Sequence, residues 1–217
     1  MEAINSKITV LNNTVTGLKS RIGKIESDVD ILRTATQSNY NNIAKAKGDI
    51  EDANKSISSL ENYSNTLNNT ISSLTTISTN IKNANDEDLQ NYITNLERLL
   101  SSYEVGSVEY TQVNNVLIQI RQMKSLQESG QSTSDELEAA RKALEENITD
   151  TSTILTNKIN MNSSDITSLQ KDITDSNGVI SQNTDSIKQN TDDISNIKET
   201  KLSYSYDEAT KTLILTK

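Results

Sequence analysis

The chain has 217 residues, 33% of them hydrophobic, a net charge of −9 and no Pro, His, Cys, Phe or Trp. That apolar share is well below the roughly 45–50% of an ordinary globular domain. The lack of His and Cys removes the commonest general base, the commonest metal ligand and every thiol nucleophile, so the composition argues against an enzyme, and its acidity opposes binding to a phosphate backbone.

Pro breaks helix interiors, and a chain this long without one is expected to be helical nearly everywhere. Residues 1–7 have no basic stretch followed by an apolar run, so neither a signal peptide nor a membrane span is expected. Residues 4–74 then carry an unbroken heptad. Its a positions are Ile8, Val15, Ile22, Val29, Thr36, Ile43, Ile50, Ile57, Ser64 and Ile71. Its d positions are Ile4, Leu11, Leu18, Ile25, Leu32, Asn39, Ala46, Ala53, Leu60, Leu67 and Leu74. A stripe this narrow and this long defines a coiled coil, which must bury its seam against copies of itself or a similar partner. The pattern shifts near Leu74, Ile77, Ile81 and Ala84, where two steps of three in a row, from Ile71 to Leu74 to Ile77, read as a stammer.

The pattern then widens. Residues 86–103 present Leu89, Tyr92, Ile93, Leu96, Leu99, Leu100 and Tyr103, and residues 108–127 present Val113, Val116, Leu117, Ile120, Met123 and Leu126. Val105-Gly106-Ser107 reads as a turn and residues 128–133 as a loop. Thr133-Ser134-Asp135-Glu136 is a capping box opening the next helix. Wide faces need partners on two sides, so residues 86–133 are expected to form a helical-hairpin knob. The chain would run down, back up, and down again. The acidic triplet Asp86-Glu87-Asp88 lacks the alternating ligands and Gly turn of a calcium loop and fits a helix N-terminus. Arg98 and Arg121 are expected as salt-bridge partners on the knob surface.

A second coiled coil is expected over residues 134–200, with Ile159, Ile166, Ile173, Ile180, Ile187 and Ile194 at a. Leu155, Asn162, Leu169, Ser176, Asn183, Asn190 and Ile197 stand at d. Residues 201–217 switch to period 2 and read as a β-hairpin turning at 207–210. The organisation is therefore an N-terminal stalk over residues 1–85, the knob over 86–133, a C-terminal stalk over 134–200 and a β-hairpin cap over 201–217. The two stalks would measure roughly 120 Å and 100 Å.

Ile180-Ser-Gln-Asn183-Thr184 and Ile187-Lys-Gln-Asn190-Thr191 repeat one seven-residue unit with Asn at d, and Ile159-Asn-Met-Asn162-Ser163 is a looser copy. A core Asn costs stability and is kept to fix register or strand number. The unit resembles the Asn-at-d layers of trimeric autotransporter adhesin stalks and phage fibres. That resemblance implies a trimer in which Asn162, Asn183 and Asn190 converge on the axis and hold chloride as a structural, not catalytic, ion. Ile or Val at a with Leu at d in the first segment favours two strands instead. The Asn repeat is the more specific signal, and the fold class expected is all-α: a long parallel homotrimeric coiled coil, interrupted by the knob and ending in the β-hairpin.

The Ser/Thr/Asn-rich rod, the Asn layers and the ending "YSYDEATKTLILT" are similar to fibre proteins of tailed bacteriophages, including crAss-like phages. The resemblance implies a structural fibre or spacer of the virion, made in the host cytoplasm, projecting from head or tail and presenting or supporting a host-attachment element. Its partners would be its own copies, other virion proteins at one end and the host cell surface, with no nucleic acid and no membrane insertion. A trimeric bacterial adhesin stalk and an intracellular coiled-coil scaffold are the alternatives.

Overall fold

A computed structural model gives the architecture, and the chain is all-α. The structure describes residues 2–130, 133–200, 203–207 and 212–216, with side chains placed as far as residue 197. Helix α1 spans Glu2–Asn80, a 3-10 turn Ile81–Asn83, α2 Asp86–Leu100, α3 Val108–Ser129 and α4 Ser134–Thr200. Strands β1 (Ser203–Asp207) and β2 (Thr212–Thr216) pair antiparallel, Tyr204 opposite Leu215 and Tyr206 opposite Leu213. Residues 208–211, which hold most of the expected turn, lie outside the described residues.

The chain divides into two units. The bundle unit is the continuous stretch 53–171. The split unit joins residues 1–52 to residues 172–217. Both boundaries fall inside a long helix.

The bundle unit begins with a helix break. α1 stops at Asn80, and Ala84 takes an extended conformation with φ −66° and ψ 126°. Asn85 then opens α2 with a reciprocal capping box. Its Oδ1 accepts from the Asp88 backbone N–H at 2.9 Å, and its own N–H donates to Asp88 Oδ2 at 3.0 Å. Ile81 and Ala84 are both buried, so the break is anchored in the core. The second connection passes through Gly106, at φ +89°, a backbone region that side chains disfavour, to the N-cap Ser107. The third passes through Gly130 at φ +61°. α4 then starts on the Thr133–Glu136 box, Thr133 N–H donating to Glu136 Oε2 at 2.8 Å.

Each connection reverses the chain. Asn95 of α2 donates to Ser73 of α1 at 3.1 Å, while Tyr103, just past the end of α2, meets the earlier Thr70 at 2.7 Å. Arg121 of α3 pairs with Glu97 of α2, and Gln127 reaches back to the Ala84 carbonyl at 3.2 Å. Asn147 of α4 donates to Gln119 of α3 at 2.9 Å. Asn162 donates to Ser64 at 3.0 Å, whereas residues 148–157 lie alongside Thr75, Ser78 and Thr79, so α4 runs antiparallel to α1.

This corrects the expected path of down, up and down. Three reversals occur rather than two, because the step at Leu74, Ile77, Ile81 and Ala84 is a helix end and not a stammer. The extra reversal sends α4 back along α1 instead of onward.

The core of the bundle draws on all four helices: Leu67, Leu74 and Ile77 of α1, Leu89 and Leu96 of α2, Val113, Val116 and Ile120 of α3, and Leu144 and Leu155 of α4. All are essentially inaccessible. A fully buried Leu, Ile or Val contributes about 1.5–3 kcal/mol. Among the described residues, the split unit has two helical segments and no comparable core. There the a and d positions of α4, from Ile173 to Ile197, are only half-buried, and Ile4, Ile8 and Leu11 of α1 are exposed.

Candidate functional site

The sequence singles out Asn162, Asn183 and Asn190, and the structure places all three on the α4 stripe that faces α1. Within the bundle unit, Asn162 is 2% exposed and its Nδ2 donates to Ser64 Oγ at 3.0 Å. Within the split unit, the half-buried Asn190 donates from Nδ2 to Thr36 Oγ1 at 3.2 Å. Ser64 and Thr36 are the only polar residues at a in the first heptad segment. Asn162 and Asn190 at d therefore each meet a polar a residue of the same chain. The register fixed by Asn190 and Thr36 sets Asn183, one heptad earlier, across from Ile43.

An amide in a helix seam demands a partner, since burying it unpaired costs about 1–3 kcal/mol. Two placements along the chain meet that demand together. Ser64 lies 28 residues after Thr36 and Asn190 lies 28 residues after Asn162. A shift of one heptad within the bundle unit would set Asn162 against Ile57 or Ile71. The same shift within the split unit would set Asn190 against Val29 or Ile43. The polar pairs thus select one antiparallel register, the device a core Asn supplies in helix pairs generally.

A second polar cluster lies inside the bundle unit, and sequence reasoning missed it. Tyr63 and Tyr103 meet edge to face at 6.3 Å between ring centres. The Tyr103 hydroxyl hydrogen-bonds Thr70, which is fully buried. The buried Glu109, in the first turn of α3, accepts a hydrogen bond from Tyr63. Burial and then the Glu109 charge and hydrogen bond hold the Tyr63 phenol well above its ordinary range. Burial raises Tyr103 as well, with the Thr70 bond opposing and the Glu109 charge adding. The available signal was Tyr63 and Thr70, spaced seven apart on one helix face. The cluster ties α1, the turn after α2 and the start of α3 at one place and is built as a structural joint.

Among the described residues, no group of three or more acidic residues is placed to hold a metal ion. Among the same residues, no helix is long and apolar enough to cross a membrane. No family model, no curated protein and no solved structure matches the chain.

Proposed function

We propose that the chain is a structural spacer, a helical rod component of a bacteriophage virion that holds other proteins apart and carries out no chemistry. The observation that carries this reading is the pairing of α1 with α4. Helices of 79 and 67 residues keep one face of 4-3 spacing and spend their core amides on selecting a register. Such a seam gives reach and stiffness and leaves its side chains engaged. The terminal "YSYDEATKTLILT" supports the phage context. The paired strands β1 and β2 would act as an end cap, since two strands alone are marginal in water, and other virion proteins would hold one end.

Small-angle scattering of the purified chain tests the spacer. An elongated distance distribution is expected, and a compact one overturns the reading. Immunogold labelling of purified virions tests the location, with label on a projecting fibre expected.

A second reading is favoured by Asn183. The antiparallel register gives it the apolar Ile43 as its neighbour, whereas a parallel homotrimer would let Asn162, Asn183 and Asn190 of three chains ring the axis and hold chloride. Sedimentation equilibrium giving three chains, with bromide replacing chloride on the axis in a crystal, would support it over the folded-back chain.

A further inference from the structure

We infer that the β1–β2 hairpin docks within its own chain along residues 15–25 of α1, meeting the α1 stripe with the sheet face on which Tyr204, Tyr206, Leu213 and Leu215 stand.

The stripe of α1 is covered over a length that α4 does not reach. In the split unit Asn190 lies beside Thr36. The two helices run in opposite directions with the same rise, so α4, which ends at Thr200, reaches only to about residue 26 of α1. Beyond that point Val15, Leu18, Ile22 and Ile25 are still half-buried. A helix does not bury its own stripe to this extent. Ile4, Ile8 and Leu11 hold the same heptad positions of the same helix and are 63%, 51% and 56% exposed. A second element therefore lies against residues 15–25 and stops short of Leu11. The split unit consists of residues 1–52 and 172–217, and within it the element that follows the end of α4 is the hairpin.

Length and face both fit. Strands of five residues span about 17 Å, and α1 rises about 15 Å between Val15 and Ile25. A hairpin laid along α1 from the end of α4 would thus finish near the place where the exposure of the stripe rises. Pairing sets Tyr204 opposite Leu215 and Tyr206 opposite Leu213. Alternate residues of a strand share a face, so these four large residues stand together. Ser203, Ser205, Asp207, Thr212, Ile214 and Thr216 stand on the other face, which is polar but for Ile214. Two strands alone are marginal in water, and a helix stripe of Val, Leu and Ile supplies the apolar surface that such a sheet lacks. The hairpin carries the seam of α1 onward where α4 ends.

The inference goes beyond the spacer reading: it rests on the pairing of α1 with α4 and stands whether or not the rod belongs to a virion. The test is hydrogen exchange on the full chain, read at the amides of β1 and β2. Those amides are expected to be protected in the natural sequence and to exchange at least tenfold faster in L18D/I22D. I8D/L11D, in the exposed part of the same stripe, should leave them protected. Equal protection in L18D/I22D and the natural chain overturns the proposal, and so does an equal loss in I8D/L11D. Disulfide trapping reads the same contact without destabilising it, since the chain has no cysteine of its own. L18C/L213C is expected to close within one chain of 24.0 kDa at least tenfold faster than I4C/L213C. Equal rates overturn the docking, and crosslinks formed only between chains overturn its assignment to a single chain.

Discussion

Ser64 and Asn162 form a pair in which the hydroxyl matters only because the amide is buried. Removing the acceptor alone, as in S64A, leaves the Asn162 amide without its partner and should lower stability by about 1–3 kcal/mol, read as a drop in the urea midpoint. Replacing both members, as in N162L/S64L, should recover that loss or exceed it, since a buried polar pair is often less stabilising than an apolar one. The tyrosine joint carries a pH signature. Tyr63 and Tyr103 both titrate above their ordinary 10.0 in the folded chain. As pH rises past 10 the unfolded chain therefore loses these protons first. The stability they carry is full below that pH and is lost as pH climbs toward the folded values. Y63F should shift the midpoint of alkaline unfolding upward, as followed by circular dichroism. Heptad phase puts the three Asn on one stripe, but it does not name the partners that Asn162 and Asn190 find. Heptad phase says which residues face a neighbour, while direction and register decide which neighbour.

Among elements, the ends of helices carried more information than their middles. The Thr133–Glu136 box is legible in sequence because Ser/Thr followed three residues later by Glu satisfies two orphan backbone donors. The Asn85–Asp88 box works by the same chemistry, but its Asn and Asp sit just past an apolar run that mimics a continuing helix. Ile81 and Ala84 look like stripe residues because they are buried, yet they are buried by the bundle from a turn. That single misreading changed the number of reversals and so the direction of α4. N85A should cost about 1 kcal/mol, seen as a lower thermal midpoint for the bundle unit. The stripe itself was legible throughout α4: Ile166, Leu169, Ile173, Ser176, Ile180, Asn183, Ile187, Asn190, Ile194 and Ile197 are all less exposed than their neighbours at the outer positions.

At the scale of the molecule the two units differ in kind. The bundle unit holds the fully buried apolar side chains, and the split unit holds half-buried seams. Hydrogen exchange should therefore be slowest at amides around Leu67, Leu89, Val116 and Leu144, and fastest in the first turns of α1. The fragment 53–171 contains its whole core and should fold alone, with a cooperative thermal transition by circular dichroism. A noncooperative melt would mean that the core depends on the rest of the chain.

The bundle unit is one unbroken stretch, while the split unit joins two stretches distant in sequence, and this difference sets an order of assembly. If Thr36 met Asn190 first, that contact would close a loop of 154 residues against the chain's entropy. Once residues 53–171 have folded into a compact unit, most of the chain between Thr36 and Asn190 is already ordered, and the entropy left to lose on closing that contact is smaller. Folding should then be rate-limited by the helical core and not by the long seam. Slowing substitutions should cluster between residues 53 and 171, and substitutions in the split unit should chiefly quicken unfolding.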